Sequence, residues 1–128
     1  MQPLKLNLSL KHELCSVLST PRSKHGNKPC TIDGEQYRSE REAQRHRELL
    51  ALQRAGRVAN LRREVPFVLA PSARIAGRTK PALRYFADFT YTEAGVEVVE
   101  DVKGMRTQVY LIKRHLMMTV HGISIRET

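Results

Sequence analysis

The spacing of apolar and polar positions divides the chain into segments of different kinds. Leu4, Leu6, Leu8 and Leu10 alternate with polar residues, as in a short strand or arm. From Ser19 to Pro29 the chain is polar, basic and rich in breakers, which predicts a loop, so residues 1–30 read as a basic N-terminal arm and 31–128 as one domain. Asp33-Gly34 is a turn signal inside a short hairpin that presents Tyr37. Ser39 to Ala55 has helical spacing, with Ser39 as N-cap, Glu42 three residues on, and Gly56 as the stop. Ala43, Leu49 and Leu50 mark its buried face. Glu42 falls in the same arc, about 20° from Leu49 at the helical repeat, and so does His46. A carboxylate there either caps the helix or needs a partner inside.

Beyond the helix, Glu64–Leu69 reads as a strand with an irregular start at Pro66. The stretch from Pro71 to Ala82 has no period and carries Arg74, Arg78 and Lys80, which predicts a basic loop of the kind that contacts phosphates. Strict alternation returns at Leu83–Tyr91, placing Tyr85, Ala87, Phe89 and Tyr91 on one face. A tight connection at Thr92–Gly95 leads into a returning strand, Val96–Lys103. Thr107 then caps a second helix that runs to about His121, with Val109, Ile112, Leu116 and Val120 as its apolar stripe and Gly122 as its end. Ile123–Ile125 reads as a last short strand. The order helix, three strands, helix, strand predicts an α/β protein with a mixed sheet flanked by helices.

Charge changes this picture. The 22 Lys and Arg against 13 Asp and Glu give a formal charge of +9, a balance that favours a polyanionic partner such as nucleic acid. Yet the segment Phe86–Lys103 holds five acids and one base. An acidic island in a basic chain suits a protein that attracts phosphates and also holds divalent cations; a solvated hairpin would show the same pattern. Cys15 and Cys30, even with His12 and His25 nearby, fit no zinc spacing and read as reduced thiols. With no apolar run long enough for a membrane and no signal-peptide pattern at the N-terminus, a cytoplasmic protein is expected.

The island has a definite geometry. Asp101 and Lys103 lie two apart on a strand and project from one face. If Glu93 pairs with Val96, Asp88 stands opposite Asp101; if Tyr91 pairs with Val96, Asp88 is diagonal to it. Either register brings the two acids to carbon separations of about 5–8 Å. Two like charges this close repel unless something resolves the conflict. Mg²⁺ does so with one or two carboxylates, and a neighbouring lysine can orient water or steady charge on a phosphate. A plain surface salt bridge between Asp101 and Lys103 is the alternative.

Asp88, with Asp101-Val102-Lys103 thirteen residues on, resembles the signature of the PD-(D/E)XK nuclease superfamily, and Glu42 matches the glutamate that many members add from a preceding helix. The element order is similar to that superfamily's αβββαβ restriction-endonuclease-like core. Closer still is a phage-encoded endonuclease-like family, through Lys24–Lys28, Ser39–Ala43, Val65-Pro66-Phe67, Phe86–Phe89, Val99–Gly104 and Thr107–Tyr110. The resemblance implies a DNA endonuclease in which Asp88, Asp101 and Glu42 bind Mg²⁺ or Mn²⁺ and Lys103 positions the attacking water. Ala87 stands where the superfamily's naming proline would be, and Glu64 stands where relatives carry glutamine, so Glu64 receives no role. Glu100 becomes an alternate acid if a bulge exchanges it with Asp101. Lys24, Lys28, Arg74, Arg78, Lys80 and Lys113 are the candidate DNA contacts. Resolution of branched DNA would require a homodimer with paired sites. The competing readings are a DNA-binding module that does not cut and a structural partner in a phage or recombination complex.

Overall fold

The computed structural model describes residues 28–128. The Leu4–Leu10 alternation, Cys15 and Lys24 lie outside the described residues, as does most of the expected arm. The protein is mixed α/β. In chain order its elements are β1 (Cys30–Ile32), β2 (Glu35–Tyr37), α1 (Glu40–Arg54), β3 (Val58–Ala70), β4 (Ala73–Ile75), β5 (Arg78–Lys80), β6 (Leu83–Glu93), β7 (Val96–Asp101), α2 (Gln108–His121) and β8 (Arg126–Glu127). Two compact units divide the chain, one ending at Glu48 and the other running from Leu49 to Thr128.

In the first unit, β1 and β2 form an antiparallel hairpin whose turn residues Asp33 and Gly34 have φ 53° and 82°. Positive φ at both central positions is the turn geometry that Asp-Gly serves best. Tyr37 at its end is buried with Cys30 and Ala43, and its hydroxyl lies 2.8 Å from His46 Nδ1. Helix α1 starts at the expected cap: Ser39 Oγ accepts the Glu42 N–H at 3.2 Å. The Glu42 carboxylate accepts the Arg38 N–H at 3.1 Å, one residue before the cap. Glu42 is buried, so the polar residue in the apolar arc of the wheel does turn inward.

The second unit is built on a four-stranded sheet in the order β3-β6-β7-β8. The first three strands are antiparallel and β8 runs parallel to β7, with α2 as the crossover between them. The Ala94-Gly95 turn sets the β6–β7 register at Glu93↔Val96, and the ladder proceeds without a shift to Phe89↔Glu100.

Several expectations are corrected. Strand β3 is twice as long as expected, because its charged first half also pairs with β6; a register shift between Ala59 and Arg62, with Asn60 and Glu64 at φ 56° and 50°, hides the alternation. Tyr85 and Ala87 do not share a core with Phe89 and Tyr91. The first pair packs with Tyr110 and Met117 of α2, and the second with Leu49 of α1, Val58 and Val98. The change falls at Asp88, where the ladder has pairs on both sides, Val65↔Ala87 and Arg63↔Phe89, but no pair between them. Three residues of the expected stripe on α2 face outward, Val109, Ile112 and Val120, while Leu116 is half-buried against the core and Tyr110 and Met117 are buried. Orientation follows the residues that seat against Tyr85, not the best-aligned aliphatic row. The last strand is Arg126–Glu127, and Ile125 before it fills the core instead of the ladder. Finally, the basic segment after β3 is ordered as a hairpin, β4 with β5.

Candidate active site

The β6–β7 register brings the acids together. The ladder ends at Phe89↔Glu100, and Asp88 and Asp101 are the next residues on the two strands. The side chain confirms the approach, since Asp88 Oδ2 accepts the Val102 N–H at 2.8 Å, from the residue between Asp101 and Lys103. Both carboxylates are buried, at 5% and 2% exposure. Lys103 Nζ is 2.5 Å from Asp101 Oδ2, and its side chain is itself only 23% exposed. The ammonium also sits over the Tyr110 ring, 4.0 Å from its centroid, an arrangement worth about 0.5–2 kcal/mol depending on desolvation. A pair of carboxylates, a lysine and an aromatic face, from two strands and a helix, are thus gathered around the end of β7.

The C-terminus fixes that end. Thr128 N–H donates to the Asp101 carbonyl at 3.0 Å, and Lys103 N–H donates to the Thr128 carbonyl at 2.9 Å, so the β7–β8 pairing continues past both strand ends. Glu127, paired with Asp101 in the ladder, turns its carboxylate to Arg106 at 3.2 Å and Arg114 at 3.3 Å. Burial works to raise its pKa. The nearby Tyr110 hydroxyl, the hydrogen bonds from Arg106 and the charges of Arg106 and Arg114 outweigh this and hold it below the ordinary carboxylate value. Burial, with Glu127 facing its hydroxyl, in turn keeps the Tyr110 phenol well above its usual pKa. Thr107 Oγ1 accepts the Tyr110 N–H at 3.1 Å and so places the ring at the first turn of α2. The Glu127–Thr128 contribution escaped the sequence reading, which had the last strand three residues too early.

Glu100 occupies other surroundings. It is fully buried; Tyr91 Oη donates to its Oε1 at 2.6 Å and Thr128 Oγ1 to its Oε2 at 3.3 Å. Arg126 reaches both the Tyr91 hydroxyl, at 3.0 Å, and Glu93, at 3.2 Å. With no bulge in this part of the ladder, Glu100 and Asp101 keep opposite pleats and do not exchange. Glu42 belongs to the first compact unit, whereas Asp88, Asp101 and Lys103 belong to the second. Among the basic candidates, Lys28, Arg74, Arg78 and Lys80 are exposed and Lys113 is half-buried on α2. Two open grooves, one lined by Asn60, Thr90 and Glu97 and one by Arg114, Met118 and Glu127, do not include the acid pair.

The donor set bears on what cation would suit the site. Among the described residues no cluster of three or more His, Cys, Asp and Glu gathers. Two carboxylates fit Mg²⁺ or Mn²⁺, which keep several waters and take further oxygens from a bound phosphate. Lys103 makes the fit conditional on its ammonium giving way or sharing Asp101.

A family model described as "Protein of unknown function (DUF1064)" matches residues 22–125. The chain belongs to the DUF1064 family. The matched span takes in every candidate residue of the site, while Glu127 and Thr128, which brace it, fall just beyond. No curated protein and no solved structure matches the chain. Among the described residues no helix is long and apolar enough to cross a membrane.

Proposed function

We propose that this DUF1064 protein is a metal-dependent DNA endonuclease with a restriction-endonuclease-like core. One observation carries the reading: Asp88 from one strand meets the Asp101-Val102-Lys103 strand end so closely that its carboxylate takes the intervening N–H. Two buried carboxylates side by side gain nothing for stability, and a divalent cation is the species that makes the pairing favourable.

In this reading Asp88 and Asp101 hold Mg²⁺ or Mn²⁺. When bound, the ion would supply Lewis-acid stabilisation of charge on the phosphate. Lys103 orients the attacking water and steadies negative charge on the phosphate. The Tyr110 ring beneath its ammonium limits where that charge can sit. Burial of both acids keeps them from reorganising in solvent. The net charge of +9 draws the polyanion in.

The short Lys103–Asp101 ion pair favours a second reading, in which the lysine neutralises the acid permanently and the protein binds DNA without cutting. Incubation with supercoiled, linear and four-way-junction DNA in Mg²⁺, Mn²⁺ or EDTA separates the two. The junction is included because resolving it would require a homodimer. Metal-dependent cleavage that disappears in Asp101→Ala and in Lys103→Ala supports the endonuclease. Metal-independent binding without cleavage, unchanged by either substitution, leaves the non-cleaving protein.

A further inference from the structure

The ribbon formed by β4 and β5 has no evident part in holding the fold together. Every residue from Pro71 to Pro81 is exposed, including Ile75. Isolated two-stranded ribbons are marginal in water, so their persistence rests on local devices. Here there are two. Ala76 and Gly77, at φ 49° and 75°, form the tight turn that matches strand twist and fixes the register Ala73↔Lys80, Arg74↔Thr79, Ile75↔Arg78. Pro71 and Pro81, at the two bases, lack the N–H that would continue a ladder. The ribbon is accordingly a separate sheet projecting where β3 ends and β6 begins.

Its chemistry is one-sided in charge. Residues 71–82 hold Arg74, Arg78 and Lys80 and no acid, and Arg84 follows. The register puts Arg78 and Lys80 on one face of the ribbon and Arg74 on the other. Among the described residues no carboxylate forms an ion pair with any of these three. The segment also contains no aromatic residue on which an unstacked base could lie, and no Asn or Gln to read adenine. Phosphates on either side of a groove remain as the partner that fits bases on both faces.

We propose that the β4–β5 ribbon is an arm that enters a groove of double-stranded DNA and grips its phosphates with little regard to sequence. This deepens the endonuclease reading and rests on it for the identity of the polyanion. The dimensions agree. Two strands about 5 Å apart, with side chains on both faces, suit a major groove roughly 12 Å wide. Along β6, Asp88 is five residues from Leu83, about 17 Å at strand rise, and the ribbon begins beyond that. At 3.4 Å per base pair, the grip falls at least about five base pairs from the phosphate at Asp88 and Asp101.

The test is binding of the full chain in EDTA to a labelled 30-base-pair duplex and to the corresponding single strand, over a range of salt. Arg74→Ser, Arg78→Ser and Lys80→Thr are combined in one variant. A control variant removes three exposed bases elsewhere, Arg47, Arg54 and Arg57. The ribbon variant is expected to keep its thermal transition, to bind duplex roughly tenfold or more weaker, and to lose about 2–3 from the log–log salt slope, at about 0.9 per phosphate contact. Single-strand binding is expected to change little. Unchanged duplex binding, equal weakening by ribbon and control variants, or equal weakening for duplex and single strand overturns the inference. The metal-free assay reads binding apart from cleavage, so ribbon-dependent duplex binding by a wild type that does not cut in the separate Mg²⁺ and Mn²⁺ incubations overturns the endonuclease reading alone.

Discussion

Tyr91→Phe isolates the network that anchors β7 one residue before the candidate site. The substitution keeps the ring, and with it the packing against Leu49, Val58 and Val98. It deletes one oxygen, which donates to the fully buried Glu100 at 2.6 Å and accepts from Arg126 at 3.0 Å. A hydrogen bond to a charged group contributes about 1.5–3 kcal/mol, and the short distance and complete burial place this one in the upper half of that range. Arg126 is 44% exposed in its side chain, so water replaces its lost contact and adds little. The expected loss is therefore about 2–3 kcal/mol, a large share of the roughly 5–15 kcal/mol that such a domain has in total. Urea denaturation followed by far-UV circular dichroism measures it, Trp being absent. Glu100→Gln alongside closes a double-mutant cycle, with non-additivity of about 1 kcal/mol or more expected. A loss under about 0.5 kcal/mol, the size of an ordinary surface substitution, would refute the reasoning that Glu100 is a structural acid held by Tyr91. The same contact has a pH signature. Burial and the Glu100 carboxylate raise the Tyr91 pKa, so its stabilising effect is complete below the ordinary phenol pKa near 10 and is lost as pH climbs through the raised value.

Glu127 gives the opposite sign. Its folded pKa is depressed, so its stabilisation is present above the ordinary carboxylate value, about 4.3, and is lost as pH falls through the folded one. The stability gap between wild type and Glu127→Gln is expected to narrow from pH 5 downward in acid titrations, and a gap that widens would contradict the assignment. On α2, Met117→Ala is expected to cost about 2–5 kcal/mol and Ile112→Ser less than about 0.5 kcal/mol, since the first is fully buried and the second 59% exposed; chemical denaturation of the two variants checks the order. Asp101→Asn and Lys103→Ala are expected to abolish cleavage while leaving the circular dichroism spectrum intact, and residual activity of either at a tenth of wild type or more would remove it from the chemistry.

What could be read from the sequence was whatever is set locally. Ser39 and Thr107 cap their helices through their own hydroxyls, Gly122 ends α2 in the left-handed region, and Ala94-Gly95 allows few registers for the acidic hairpin. The meeting of Asp88 with the Asp101–Lys103 strand end followed from that hairpin, and the mixed sheet from the order of elements. What escaped depends on tertiary packing or on backbone irregularity. Val109, Ile112, Leu116 and Val120 make the better amphipathic stripe, yet Tyr110 and Met117 decide which way α2 faces because they fit against Tyr85. The first half of β3 is charged and interrupted at Asn60 and Glu64, so its period is lost even though its backbone pairs with β6. The ribbon reads as a loop in the sequence because Ala76-Gly77 is a weaker hairpin signal than Asn-Gly or Asp-Gly. Glu127 and Thr128 have no local pattern, and their bracing of Asp101 and Lys103 emerges only once β8 lies beside β7.

The central claim is that Asp88 and Asp101 together hold a divalent cation. Titration of Mn²⁺ into the 128-residue chain, with free Mn²⁺ read by electron paramagnetic resonance, tests it without reference to DNA. Wild type is expected to show saturable binding that weakens roughly tenfold or more in both Asp88→Asn and Asp101→Asn, with Glu97→Gln, at an exposed carboxylate, as a control that keeps wild-type affinity. Equal affinity in wild type and both aspartate variants, or no saturable binding by wild type, would contradict the account.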